Sequence, residues 1–142
     1  MEQLYRMLKE KMQLNTFSVK NGMELESAEP DRAVISLKVT PECCNPMGSV
    51  HGGALYTMAD NAAGLAIFTD GRVYVTINGS LNYMHNVSSG IVRATGTVLH
   101  RGRTTAFAHV DITSEDGILL ATGEFSFFCI DNNVKNIQKE SD

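Results

Sequence analysis

The residues best suited to chemistry cluster around one junction. Asn45-Pro46-Met47-Gly48-Ser49-Val50-His51-Gly52-Gly53 leads into a segment that carries Asp60. If a helix begins at Gly52-Gly53, its first backbone N–H groups have no intrahelical partner and lie at the positive end of the helix dipole. Such an end can stabilise negative charge developing on a carbonyl oxygen. The same glycine pair can also do no more than permit a tight loop-to-helix junction. A carboxylate such as Asp60, set in a cleft, acts as a nucleophile or as a general base on water; on a solvated helix face it does neither. His51 can orient the loop, contact a substrate or serve as a structural hydrogen-bonding group. Asn45 can close an Asx turn or donate to a substrate or water. Thr76 is by type a good strand residue. Arg101-Gly102-Arg103-Thr104 reads as a hairpin turn, either ordinary and exposed or a phosphate contact, since arginine pairs well with phosphate oxygens.

The elements that position these groups follow from periodicity. Residues 1–13 carry Leu4, Met7, Leu8 and Met12 at helical spacing, which reads as a short amphipathic helix. Asn21-Gly22 is a turn signal. Strands are expected at 23–29 and 32–40, the second with Ala33, Ile35, Leu37 and Val39 on one face, joined by Glu29-Pro30-Asp31. The stretch 41–50 is irregular. From His51 to Phe68 the pattern is that of a helix apolar around most of its circumference, as a buried helix is. One narrow stripe breaks it: Thr57, Asp60, Asn61 and Gly64 share a face. Asp60 lies nine residues after His51, about two and a half turns, so it does not easily reach the helix start of its own chain. Four strands follow, at 73–84, 90–100, 104–114 and 118–130; the short turns between the last three imply an antiparallel meander. A polar tail begins near residue 132. The order predicts an α+β domain with one antiparallel sheet and one central helix. The curvature of that sheet does not follow from pattern alone.

Composition bounds the function. With 142 residues, 43% hydrophobic and 20% charged, the chain suits one domain with a core of its own, needing neither disulfides nor a structural metal. Its net charge of −4, 12 basic against 16 acidic residues, lacks the basic excess of a nucleic-acid binder. Any anionic ligand must therefore meet a local basic patch, which gives the two turn arginines their interest. Cys43, Cys44 and Cys129 are odd in number and two are adjacent, so they are read as reduced thiols. The four histidines (His51, His85, His100, His109) are scattered, and no metal site is expected. No apolar run approaches the roughly 20 residues of a membrane span. The N-terminal MEQLYRMLKEKMQ is charged throughout, unlike a signal peptide. A cytoplasmic protein with no membrane or nucleic-acid partner is expected.

Asn45-x5-His51-Gly52-Gly53 followed by Ala59-Asp60-Asn61 resembles the active-site segment of hotdog-fold thioesterases, most closely the phenylacetate-pathway acyl-CoA thioesterases, the 4-hydroxybenzoyl-CoA thioesterases of the same arrangement and animal acyl-CoA thioesterase-superfamily proteins. Val75-Thr76-Ile77, Asn82-Tyr83-Met84, the stretch from His100 to Phe107, Val110-Asp111-Ile112-Thr113 and Leu119-Leu120-Ala121-Thr122-Gly123 resemble the family's later strands. The likeness runs from about Arg32 to Ile130. It implies a hotdog fold, an antiparallel sheet wrapped around the central helix, over a single domain of residues 1–142. It also implies a homodimer assembling to a homotetramer, with active sites between protomers, so that Gly52-Gly53 of one chain faces Asp60 of the other.

By the same resemblance the activity is hydrolysis of acyl-CoA to free acid and CoA, with no cofactor beyond the CoA of the substrate and no metal. Asp60 is then nucleophile or general base, and the Gly53 N–H polarises the carbonyl beside Gly52. Asn45 positions carbonyl or water, Thr76 holds water or carboxylate, and His51 orients. Asn61, Arg101, Gly102, Arg103 and Thr104 are the candidate substrate and CoA contacts. The acyl pocket would be lined by side chains such as Tyr56, Met58, Phe68, Tyr83 and Met84, whose directions the sequence does not fix. Two other readings stand beside this one: a hotdog dehydratase acting on hydroxyacyl thioesters, and a non-catalytic acyl-CoA-binding protein.

Overall fold

The computed structural model describes residues 1–134. Its elements are α1 (Glu2–Gln13), α2 (Thr16–Lys20), β1 (Met23–Glu29), β2 (Arg32–Lys38), a 3-10 turn at Pro41–Cys43, α3 (Gly52–Phe68), β3 (Val73–Tyr83), β4 (Ile91–Arg101), β5 (Thr105–Thr113) and β6 (Leu119–Asp131). The polar tail expected from residue 132 lies mostly outside the described residues.

All strand pairs are antiparallel, in the order β1-β2-β4-β5-β6-β3, with β4, β5 and β6 forming the expected meander. The sheet wraps α3, which touches every strand, and this is the hotdog architecture. Small residues make the wrap tight. Ala59, Ala62, Ala63 and Ala66 of α3 are fully buried, against Ala33, Ala94, Ala106 and Ala108 of the sheet. Between α3 and the sheet the tightest glycine is Gly96 of β4, where an added Cβ would run into the Ala62 carbonyl. α1 lays the buried Leu4, Leu8 and Met12 onto the same core.

Two features depart from the sequence pattern. The first is α2, whose five residues are too few to show a period. The Asn15 side chain caps it by accepting from the Ser18 N–H. The second is a bulge in β3. Its register against β6 shifts between Thr76 and Asn78, leaving Ile77 outside the ladder. Before the bulge Tyr74 and Thr76 face α3; after it Gly79 and Tyr83 do. Without the extra residue, Asn78, Ser80 and Asn82 would point inward instead.

Candidate active site

Asp60 sits halfway along α3 on the one polar stripe of an otherwise buried helix and is partly exposed. Its Oδ1 accepts a hydrogen bond of 2.9 Å from Thr76 Oγ1 on β3. Thr76 precedes the bulge and faces α3 on the same side of the strand as Tyr74. Burial pushes the Asp60 carboxyl above the ordinary carboxylate range, and the Thr76 hydroxyl pulls partly against it. A carboxylate so raised is better matched to accept a proton near neutral pH.

His51 is the N-cap of α3. Its backbone is extended and its Nδ1 accepts from the Gly53 N–H at 2.8 Å. The N–H that the resemblance assigns to the substrate carbonyl is thus covered by the His51 ring, which places the ring's proton on Nε2 when the ring is neutral. The Gly52 N–H has no partner among the described residues. Tyr83, at the end of β3, donates from its hydroxyl to the Gly52 carbonyl at 2.9 Å and packs its ring over that glycine. Sequence reading offered Tyr83 only as a pocket-lining side chain. Its role at the helix start depends on the β3 bulge, which the sequence does not mark.

The remaining candidates fall in separate places. Asn45 builds its own loop: its Oδ1 accepts from the N–H groups of Met47 and Ser49, and its Nδ2 donates to Ser49 Oγ. Asn61 faces α2, donating to Ser18 Oγ at 2.7 Å and accepting from Asn15 Nδ2 at 3.1 Å, and so ties the N-terminal helices to α3. Arg101 is engaged inside the protomer. Its guanidinium pairs with Asp31, approaches Asp70 Oδ2 to 3.1 Å and donates to the Ile67 carbonyl at 2.9 Å, a cation at the negative end of α3. Tyr74 and Arg72 also bond Asp70; burial raises the Asp70 carboxyl, and these bonds with the Arg101 charge bring it below its usual range. Arg103 and Thr104 are exposed on the turn, and Gly102 closes it by donating its N–H to the Thr105 carbonyl at 2.8 Å. Of the two turn arginines, it is Arg103 whose side chain faces solvent. Among the described residues no group of His, Cys, Asp and Glu is placed to hold a metal ion.

Two cavities open along α3. One of about 140 Å³ has Asp60 and Thr76 in its wall; another, of about 430 Å³, lies at the helix start beside His51, Gly53 and Thr57. Seven residues separate Gly53 from Asp60 on α3, a rise of about 10 Å. One thioester carbonyl cannot contact both groups of the same chain. β3, the strand carrying Thr76, is also an edge of the sheet, eleven residues long, with Val75, Ile77 and Tyr83 about half exposed. A long apolar edge of this kind is a template for pairing with another strand.

Comparison with known proteins agrees with the geometry. The model of the thioesterase superfamily matches residues 47–121, the stretch from the loop before α3 into β6. The chain is 34% identical to a 1,4-dihydroxy-2-naphthoyl-CoA hydrolase of Listeria monocytogenes, over 70% of this chain and 83% of that one. It is 34% identical to acyl-coenzyme A thioesterase 13 of Homo sapiens, over 70% and 74%. A hypothetical thioesterase protein of Streptococcus pneumoniae, solved with coenzyme A, superposes with a TM-score of 0.78 at 29% identity, over 84% of this chain and 97% of that one. The Streptococcus protein was also solved with an aspartate and, separately, a threonine changed to alanine, the two positions sixteen residues apart. Asp60 and Thr76 are separated by the same interval.

Proposed function

The chain belongs to the thioesterase superfamily, and from that premise we propose that it hydrolyses acyl-CoA thioesters at a site built from two copies of itself, with Asp60 as the base. The observation that carries this reading is the Asp60–Thr76 pair in the wall of a cavity. Thr76 holds Oδ1, which leaves Oδ2 to take a proton from water. The hydroxide so formed adds to the thioester carbonyl, and the tetrahedral intermediate collapses with loss of the CoA thiolate, which takes up the proton. The oxyanion of that intermediate is stabilised by the start of α3 of the second copy, the Gly52 N–H and, once the His51 ring turns aside, the Gly53 N–H.

The coenzyme bound to the Streptococcus thioesterase supports CoA as the thiol carrier here. Arg103 is the exposed cation available to its phosphates on the turn where sequence reading sought one. Pairing of β3 with β3 of a second copy would join the two sheets and bring each helix start toward the other's Asp60; the separation of the two groups along α3 supports this arrangement.

The test is release of free CoA thiol from a panel of acyl-CoAs by the wild type and by Asp60→Asn. Turnover by the wild type, lost in a folded variant, is the expected result. A folded wild type that releases no thiol from any ester would count for the acyl-CoA-binding reading. Hydration of an enoyl-CoA without thiol release would count for the dehydratase.

A further inference from the structure

The cavity beside Asp60 lies against α1, outside the stretch matched to the superfamily. Its wall runs along α3 from Asp60 through Gly64 and Leu65 to Phe68; Phe127 of β6 and Met12 of α1 face them. Met12, Leu65, Phe68 and Phe127 give it an apolar stretch; Asn15, Asn61, Tyr74 and Thr76 share the wall with Asp60, and Lys11 lies at the far end with its ammonium 4.3 Å from the Phe68 ring centroid.

Gly64 is the unusual residue here. It lies one turn beyond Asp60 on the same helix face. An added Cβ would meet the Phe127 ring at 3.6 Å, ordinary van der Waals contact, with no backbone in the way. At Gly96 the packing forbids a methyl; at Gly64 the protein has room for one. Glycine inside a helix is less favourable than alanine, and the neighbouring positions Ala59, Ala62, Ala63 and Ala66 are all alanine. The missing methyl leaves space in the cavity and serves no contact within the protein.

Resting on the thioesterase reading above, we propose that this cavity takes the acyl group of the substrate, and that Gly64 and Met12 set the upper limit of its size. The volume, about 140 Å³, is close to that of an apolar protein cavity that accommodates benzene, so the limit falls at an acyl group of about six carbons or one six-membered ring beyond the carbonyl. Gly64 sets the limit from the helix side. Met12, 4% exposed, sets it from the roof that α1 provides.

The experiment measures affinity by titration calorimetry for S-alkyl-CoA thioethers, ethyl to hexadecyl, which cannot be hydrolysed. Wild type should bind about fourfold tighter per methylene up to about hexyl, with no gain beyond. Gly64→Ala should move that break shorter by one or two carbons, and Met12→Ala should move it longer. Gly64→Ala keeps the test decisive even if Met12→Ala unfolds. An affinity that climbs unbroken to hexadecyl, or a break that Gly64→Ala leaves unmoved, would overturn the proposal. Thiol release from the matching acyl-CoAs, read in parallel, bears on hydrolysis alone. A length-limited pocket without turnover sinks the thioesterase reading and keeps the pocket; turnover with no length limit does the reverse.

Discussion

Burial and the Thr76 hydroxyl act on the Asp60 carboxyl in opposite directions, and burial wins. Both the chemistry and the stability of the protein feel the result. For a base that must be ionised, kcat/KM should rise with pH through a single ionisation lying above the ordinary carboxylate range. Thr76→Val removes the pull that lowers it and should displace the profile to higher pH; an unmoved profile would separate Thr76 from the ionisation. Asp60→Asn should lower kcat by about 10²–10⁴ with the fold intact. The same change should stabilise the protein. A carboxyl whose folded-state pKa is raised binds its proton more tightly folded than unfolded, so stability falls as pH rises from the unfolded carboxyl range through the raised value, and stays lowered above it. Asparagine escapes that loss and can still accept from Thr76. At pH 7 the variant's thermal midpoint should therefore rise. A fall would show that the carboxylate is more comfortable in the fold than its surroundings imply.

At the scale of elements, the helix and sheet interlock through a few residues with no side chain to spare. Gly96→Ala places a methyl into the Ala62 carbonyl of α3. Since backbone cannot step aside cheaply, a loss of about 1–3 kcal/mol is expected in urea melts; a change within error would mean that α3 rides loosely on β4. Most of this architecture was legible beforehand. The alternation through Ala33, Ile35 and Leu37 and the all-round apolar run of α3 are signals of residues that touch the core directly, and both elements lie where they were expected. What escaped reading depends on partners distant in the chain. Arg101 read as either an ordinary exposed turn residue or a phosphate contact because its partners, Asp31, Asp70 and the end of α3, come together only in the fold. Asn61 gave no sign that it would face Ser18 and Asn15. The β3 bulge carries no local mark, so the inward direction of Tyr83 could not be read, and the covering of Gly53 by His51 is a matter of one ring rotamer.

At the scale of the molecule, the decisive quantity is the length of α3 between its start and Asp60. About 10 Å along one helix cannot be closed by a side-chain rotation, so under the proposed mechanism each protomer would supply halves of two different sites. That makes the assembly testable without knowing its structure. Asp60→Asn loses the base but keeps its helix start. Gly53→Pro loses an N–H at the helix start, where the first turn tolerates proline, but keeps Asp60. Each variant alone should be nearly inactive. Unfolded together and refolded as a mixture, they give mixed dimers in which the intact start of one chain meets the intact Asp60 of the other, while the second site combines both defects. Random pairing puts half the dimers in this state with half their sites restored, so activity should return to roughly a quarter of wild type, as a two-fold arrangement with shared sites requires. If each chain instead carried its own complete site, no mixing ratio could restore activity, because every chain in the mixture would remain broken. Recovery that follows the product of the two variants' fractions, with its maximum at equal amounts, would identify the second copy as the source of the helix start. Recovery that never rises above the sum of the separate variants would place both groups in one chain, and the separation along α3 would then have to be bridged by a rearrangement of the helix itself.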